Sequence, residues 1–257
     1  MNTTVGSTEK PWVLFVPGGI MPSELAYGPL LAVVGSEIRP LVKDLEVYAT
    51  DVPPPDYGLQ LEAHGIGRAA DAAGAQRFHL VGYSAGGASS LAFVAQHPER
   101  VRSLALIEPA WIGTIAPEDE EHWSELHRLA ALDPDQRMSA FMRWQMRPGA
   151  EPPRLPLPAG PAPAWMAKRP GGINAFTRAF DAYKLDQSRF RLFKGPVYMA
   201  LGSLSTPYYE HSAKTLSGLF PDMRVEVYEG RSHLDPPHRT EAERFGNALR
   251  ELWGRAD

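Results

Sequence analysis

Apolar residues recur along the chain in short bursts separated by longer stretches with one apolar face. Trp12 to Val16 is the first burst, ending at Pro17-Gly18-Gly19, and it predicts a buried strand. Ser23 to Val34 predicts a helix, with Ser23 as cap and Glu24 near the positive end of the helix dipole. Leu45 to Val52 predicts a second strand, stopped by Pro53-Pro54-Pro55. A helical stretch from about Leu59 to Ala73 leads to Gly74; Phe78 to Val81 then predicts a strand, and Ala88 to Gln96 a helix. After a break at His97-Pro98-Glu99-Arg100, Val101 to Ile107 predicts the next strand, which ends at Glu108-Pro109. Strand–helix–strand alternation at this spacing implies right-handed crossovers and a mostly parallel sheet.

The pattern then stops. From Trp111 to about Phe193 there are helical segments but no convincing strand. Pro117 to Leu132 opens on four acidic residues, Glu118 to Glu121, which suits a helix start; Pro134 to Met146 and Ile173 to Tyr183 predict two more helices. Eight of the 25 prolines fall in residues 148 to 170, so that segment is expected to be extended and irregular. The sheet pattern resumes at Pro196 to Leu201, followed by a helix from Tyr208 to Phe220, a strand from Met223 to Tyr228 and a closing helix from Arg239 to Trp253. The expected organisation is an α/β core of about six parallel strands flanked by helices, built from 11–110 and 194–257. Residues 111–193 form a helical insertion, and 1–10 a flexible tail.

Composition narrows the function classes. A chain of 257 residues with 44% hydrophobic and 22% charged residues can bury a full core. The net charge of −4, without blocks of like charge, argues against nucleic acid or an anionic membrane surface as partner. No apolar run approaches the roughly 18 residues of a membrane helix, and the N-terminus lacks a signal-peptide core. There are no cysteines, which removes disulfides, thiolate metal sites and a cysteine nucleophile, and fits a cytoplasmic location. A homo-oligomer is left open.

The chemistry centres on Gly82-Tyr83-Ser84-Ala85-Gly86, a G-x-S-x-G between a predicted strand and a predicted helix. A serine on so tight a turn is held in a strained backbone with its hydroxyl above the sheet edge. The glycines let neighbouring backbones pass close by. The new helix aims free N–H groups at whatever the serine attacks, so Ala85 N–H can stabilise an oxyanion. A nucleophilic serine needs a base. His233, in Gly230-Arg231-Ser232-His233 just past the last predicted strand, lies where the carboxyl ends of parallel strands converge on ligands. His238 is the rival; the other histidines fall inside predicted strands and helices or at their ends.

With Val81 to Gly87, the Gly-x-x-His ending at His233 and the helical insertion in view, the chain resembles the α/β-hydrolase superfamily from Trp12 to Trp253. The resemblance implies a second oxyanion donor at Gly19 or Ile20, although the family's His-Gly is here Pro17-Gly18-Gly19-Ile20. The family's usual acid, an Asp past the penultimate strand, is missing: the stretch reads Gly202-Ser203-Leu204-Ser205-Thr206-Pro207, with Ser205 in the expected place. Glu108, at the end of the strand after the elbow helix, is where a subset that includes haloalkane dehalogenases takes its acid. Asp235 is the alternative. Dehalogenase chemistry itself is not expected, because the nucleophile is Ser84 followed by Ala85.

The insertion is rich in aromatic side chains, most of which would pack it onto the core. Trp111, Trp144, Trp165 and Phe180, with Tyr83 beside the serine, are the expected lining of a pocket for an apolar small-molecule substrate. No histidine pair has metal-ligand spacing and no glycine loop suits a phosphate, so neither a metal nor a cofactor is expected. The implied activity is cleavage of an ester or lactone through an acyl-enzyme. A non-hydrolytic reaction on the same fold, or a ligand-binding pseudoenzyme, are the alternatives.

Overall fold

A computed structural model describes residues 9–153 and 163–256. Most of the expected tail, and the centre of the proline-rich segment, therefore lie outside the described residues. In chain order the elements are β1 (Trp12–Val16), α1 (Ser23–Val34), β2 (Arg39–Val42), α2 (Leu59–Ala72), β3 (Phe78–Tyr83), α3 (Ala85–Gln96) and β4 (Val101–Ile107). The insertion carries α4 (Glu120–Ala130), α5 (Pro134–Trp144) and α6 (Arg169–Ala182). The chain then forms β5 (Val197–Gly202), α7 (Tyr208–Ser217), β6 (Met223–Tyr228), α8 (Pro237–Thr240) and α9 (Ala242–Gly254). The six strands are parallel in the order β2-β1-β3-β4-β5-β6.

Period-two alternation along the strands explains why both faces of the sheet are covered. Leu14, Val16, Leu80, Leu104, Leu106 and Met199 pack with Leu59, Ile66 and Leu91 of α2 and α3. Val13, Phe15, Val81, Ala105, Ile107 and Ala200 pack with Tyr27 and Leu30 of α1 and Phe245 and Leu249 of α9. Each fully buried large side chain here contributes about 1.5–3 kcal/mol relative to exposure.

One strand is displaced from its expected place. Leu45 to Val52 is not a strand: Glu46–Tyr48 forms a 3₁₀ turn, and the edge strand lies earlier, at Arg39–Val42. The reason is local satisfaction of the backbone. Buried Glu62 of α2 accepts the N–H groups of Glu46 (3.0 Å) and Val47 (3.2 Å), which caps the turn and leaves Leu45 and Val47 buried without a ladder. Pro40 masks the true strand in the sequence. It is tolerated because β2 is an edge strand, paired only with β1.

From β1 the chain moves outward to β2 and then returns to the other side of β1 for β3. That reversal opens a crevice at the carboxyl ends of β1 and β3, the position in open parallel sheets where ligands bind. Ser84, directly after β3, stands at that edge.

Candidate active site

Ser84 follows β3 directly and has φ 53° and ψ −118°, far from any relaxed region for a residue with a Cβ. Neighbouring strands hold it in place. Ser84 N–H donates to Ile107 O (3.0 Å), Ala110 N–H donates to Ser84 O (2.9 Å) and Gly86 N–H donates to Pro17 O (3.0 Å). Gly82 and Gly86 are required by this crowding: a Cβ on Gly82 would stand 2.6 Å from Gly86 O, and one on Gly86 would stand 2.5 Å from Pro17 O.

Two contacts extend from the serine. Its Oγ lies 2.9 Å from His233 Nε2, and His233 Nδ1 lies 2.8 Å from Glu108 Oε2. All three side chains are buried. Glu108 is the other non-glycine residue with positive φ among those described, at 44°. Its second oxygen, Oε1, accepts Gly202 N–H at 2.7 Å. The end of β5 thus supplies a backbone donor to the carboxylate of β4, where the usual family pattern has an acid of its own.

The alternatives to these residues are engaged elsewhere. Asp235 accepts Ser232 N–H at 2.9 Å and the Ser232 hydroxyl, and lies 3.6 Å from Arg231. Ser205 forms an antiparallel bridge with Met146 at the edge of the insertion, and its buried hydroxyl makes no hydrogen bond. His238 is wholly buried between Tyr27 and Tyr83, each ring 4.9 Å away, and neither ring nitrogen has a hydrogen-bond partner. Burial above all pushes its pKa down to about 3, so it is a neutral core side chain across ordinary pH.

Two tyrosines pack against the imidazole of His233. Tyr83 lies 4.9 Å away, tilted by 38°, its hydroxyl donating to His233 O; Tyr209 stacks at 4.8 Å, nearly parallel at 8°. The Tyr209 hydroxyl donates to Gln145 Oε1 at 2.7 Å. Sequence reasoning missed Tyr209 and Gln145. The available signal was an aromatic residue in the first turn of a helix that leaves the active edge of the sheet.

Ser84 opens into a cavity of about 970 Å³, solvent at its mouth included, bordered by Gly19, Ile20, Tyr83, Ala85 and His233. From the insertion it is bordered by Phe141, Trp144, Phe176 and Phe180. Of the aromatic residues expected there, Tyr83, Trp144 and Phe180 line it. Trp111 stands behind, stacked on Phe180 at 5.9 Å, and Trp165 faces the Arg169 guanidinium instead. Composition finds an aromatic cluster but not which side of each helix faces in.

Beside the serine, neither Ala85 N–H nor Ile20 N–H has an acceptor among the described residues. The Gly19 carbonyl accepts the Tyr48 hydroxyl at 2.5 Å, which turns it out toward the 3₁₀ segment. Because the peptide is trans, the Ile20 N–H must point the opposite way. Burial pushes the Tyr48 hydroxyl up to about 12, so it remains a protonated donor at neutral pH.

The sequence model of the alpha/beta hydrolase fold matches residues 11–161, more than half of the chain. The chain belongs to the alpha/beta hydrolase fold family. Within that family it is 26% identical over 166 residues to the uncharacterized carboxylesterase nap of Bacillus subtilis (strain 168), a match covering 64% of this chain and 53% of that protein. The chain thus spans about half the length of this relative. Its fold is similar to that of the thermophilic esterase from Thermogutta terrifontis (TM-score 0.71, 18% identity, 96% of this chain and 91% of that one). It is also similar to naproxen esterase from Bacillus subtilis (TM-score 0.65, 20% identity, 96% and 85%). No helix among the described residues is long and apolar enough to cross a membrane, and none of their His, Asp and Glu side chains group as a metal site.

Proposed function

We propose that the protein is a serine hydrolase that cleaves a carboxylic ester or lactone of a small to medium apolar substrate. The observation that carries this reading is the unbroken chain Ser84–His233–Glu108, at 2.9 and 2.8 Å, standing in an apolar cavity. Similarity to carboxylesterases supports the same class.

In this mechanism Ser84 Oγ attacks the ester carbonyl while His233 Nε2 accepts its proton. Glu108, holding Nδ1–H, fixes the tautomer that leaves Nε2 free and offsets the imidazolium charge. The oxyanion forms between Ala85 N–H and Ile20 N–H. His233 returns the proton to the departing alcohol, leaving an acyl group on Ser84; water, deprotonated by the same nitrogen, releases the acid. Tyr83 and Tyr209 hold the ring plane throughout. The insertion serves as a cap, its aromatic wall excluding water and receiving the apolar part of the substrate.

A fluorophosphonate probe should label Ser84, and a graded panel of p-nitrophenyl esters and lactones should show turnover. A protein that binds panel members yet neither labels nor turns them over is a receptor, and this reading fails.

The Tyr48 hydroxyl acts as a positioning group in this scheme, through the Gly19–Ile20 peptide. Tyr48→Phe keeps the ring but frees that peptide. The expected result is a fall in kcat on the order of tenfold with KM little changed, smaller than the 10²–10³ loss for removing a donor outright. A change confined to KM would argue that Tyr48 only packs against α6.

A further inference from the structure

Among the residues that border the cavity, Arg239 is the one permanently charged side chain. It sits in α8, half-buried, and its Nε is buried without a hydrogen-bond partner. Nearby carboxylates are committed to other cations. Asp235 and Glu241 pair with Arg231 at 3.6 and 2.7 Å, and Glu241 also lies 3.1 Å from Arg244. The Arg239 charge nonetheless reaches the centre of the site: burial, and then Glu108, push the Tyr83 hydroxyl up, and Arg239 opposes that push.

A guanidinium held partly out of water without a counter-ion is costly to the fold alone. The cost is recovered when an anion arrives, because the planar fork can take a carboxylate through two parallel N–H donors. The rest of the cavity wall offers no competing use: it is apolar apart from Ser84, His233, Tyr83, Tyr209, Gln145 and Thr177. Gln145 already accepts from Tyr209, and Thr177 donates to Ile173 O at 3.1 Å.

We infer that Arg239 is an anion-binding subsite of the substrate cavity, and that the preferred substrates are esters carrying a second, ionised acid group, such as half-esters of dicarboxylic acids. The inference rests on the hydrolase reading for its setting but concerns specificity, which is measured separately. Ser84 attacks the ester carbonyl; the distal carboxylate lies against Arg239 and undergoes no chemistry.

The test compares mono-p-nitrophenyl esters of dicarboxylic acids with p-nitrophenyl esters of monocarboxylic acids of equal carbon number, over a series of chain lengths. At the best length the wild type should prefer the anionic ester. In Arg239→Gln the ratio of kcat/KM for the anionic over the neutral ester should fall by roughly 10- to 100-fold, the scale of charge-assisted hydrogen bonds. Arg239→Lys should retain part of the preference, and Arg239→Glu should shift it toward ω-amino esters. Equal losses on both ester types, or an unchanged ratio in all three variants, overturn the inference and leave Arg239 a solvated or packing residue. A separate arm does not depend on turnover. Monomethyl adipate titrated calorimetrically into Ser84→Ala protein should bind, and binding should be lost when Arg239→Gln is added. Absence of binding with Arg239 in place counts against the subsite even if ester hydrolysis is established. Conversely, Arg239-dependent binding by a protein that hydrolyses no ester would sustain the subsite and reject the hydrolase reading.

Discussion

Replacing Ser84 with alanine is expected to lower kcat by about 10⁶, the scale found when such a serine is removed. The side chain's hydrogen bond is to His233 Nε2, and the substitution keeps the Cβ, so little packing is disturbed. Ala85 N–H and Ile20 N–H remain in place to bind a carbonyl oxygen. Substrate affinity should therefore survive while chemistry is lost, and residual rates should come from the oxyanion donors alone. The measurement is single-turnover hydrolysis of the best panel ester alongside a binding titration. Near-normal turnover in a preparation free of wild-type protein would remove Ser84 from the reaction.

Glu108→Gln should cost about 10⁴ in kcat, by analogy with an Asp-to-Asn exchange in another triad. The geometry gives the loss a specific cause. Both Glu108 oxygens accept, one from Gly202 N–H and one from His233 Nδ1–H. A glutamine has one acceptor and one donor at those positions. Turned one way, its NH₂ group confronts Gly202 N–H; turned the other way, it donates to Nδ1 and puts the imidazole proton on Nε2, where it blocks proton transfer from Ser84. Ser205→Ala should be nearly neutral in comparison, and Asp235→Asn should cost little because Asp235 serves the Ser232 turn. A Glu108→Gln enzyme close to wild-type in kcat would refute the acid assignment.

How much of this could be read from the chain alone varies by residue. Ser84 was legible because a tight strand-to-helix turn leaves few residue choices, so chemistry and local backbone share one signal. His233 was singled out by its position past the last strand, and Glu108 by its strand end, the missing carboxylate near Ser205 and the family resemblance; in the structure the two side chains lie 2.8 Å apart. The six-strand sheet followed from alternating apolar bursts, except at its edge. There Pro40 and Arg39 disguised a real strand, and buried Leu45 and Val47 imitated one. Tyr48, Tyr209 and Arg239 were not legible. Their roles depend on which peptide, ring or cavity each side chain meets across distances in sequence that no local pattern encodes. Trp111 and Trp165 were expected in the pocket on aromatic composition alone, and neither is among the residues bordering the cavity, because composition does not say which neighbour a side chain faces.

The backbone angles of Ser84 and Glu108 carry a consequence for how this chain can change. Positions held at φ 53° and φ 44° are ones where glycine would sit with less strain, a difference of about 1–3 kcal/mol at each. A screen that rewarded only resistance to heat would therefore be drawn to Ser84 and Glu108, the serine and the carboxylate of the proposed reaction. The sequence best suited to the fold and the sequence best suited to the chemistry differ at these sites, and keeping serine and glutamate there requires selection that reads activity.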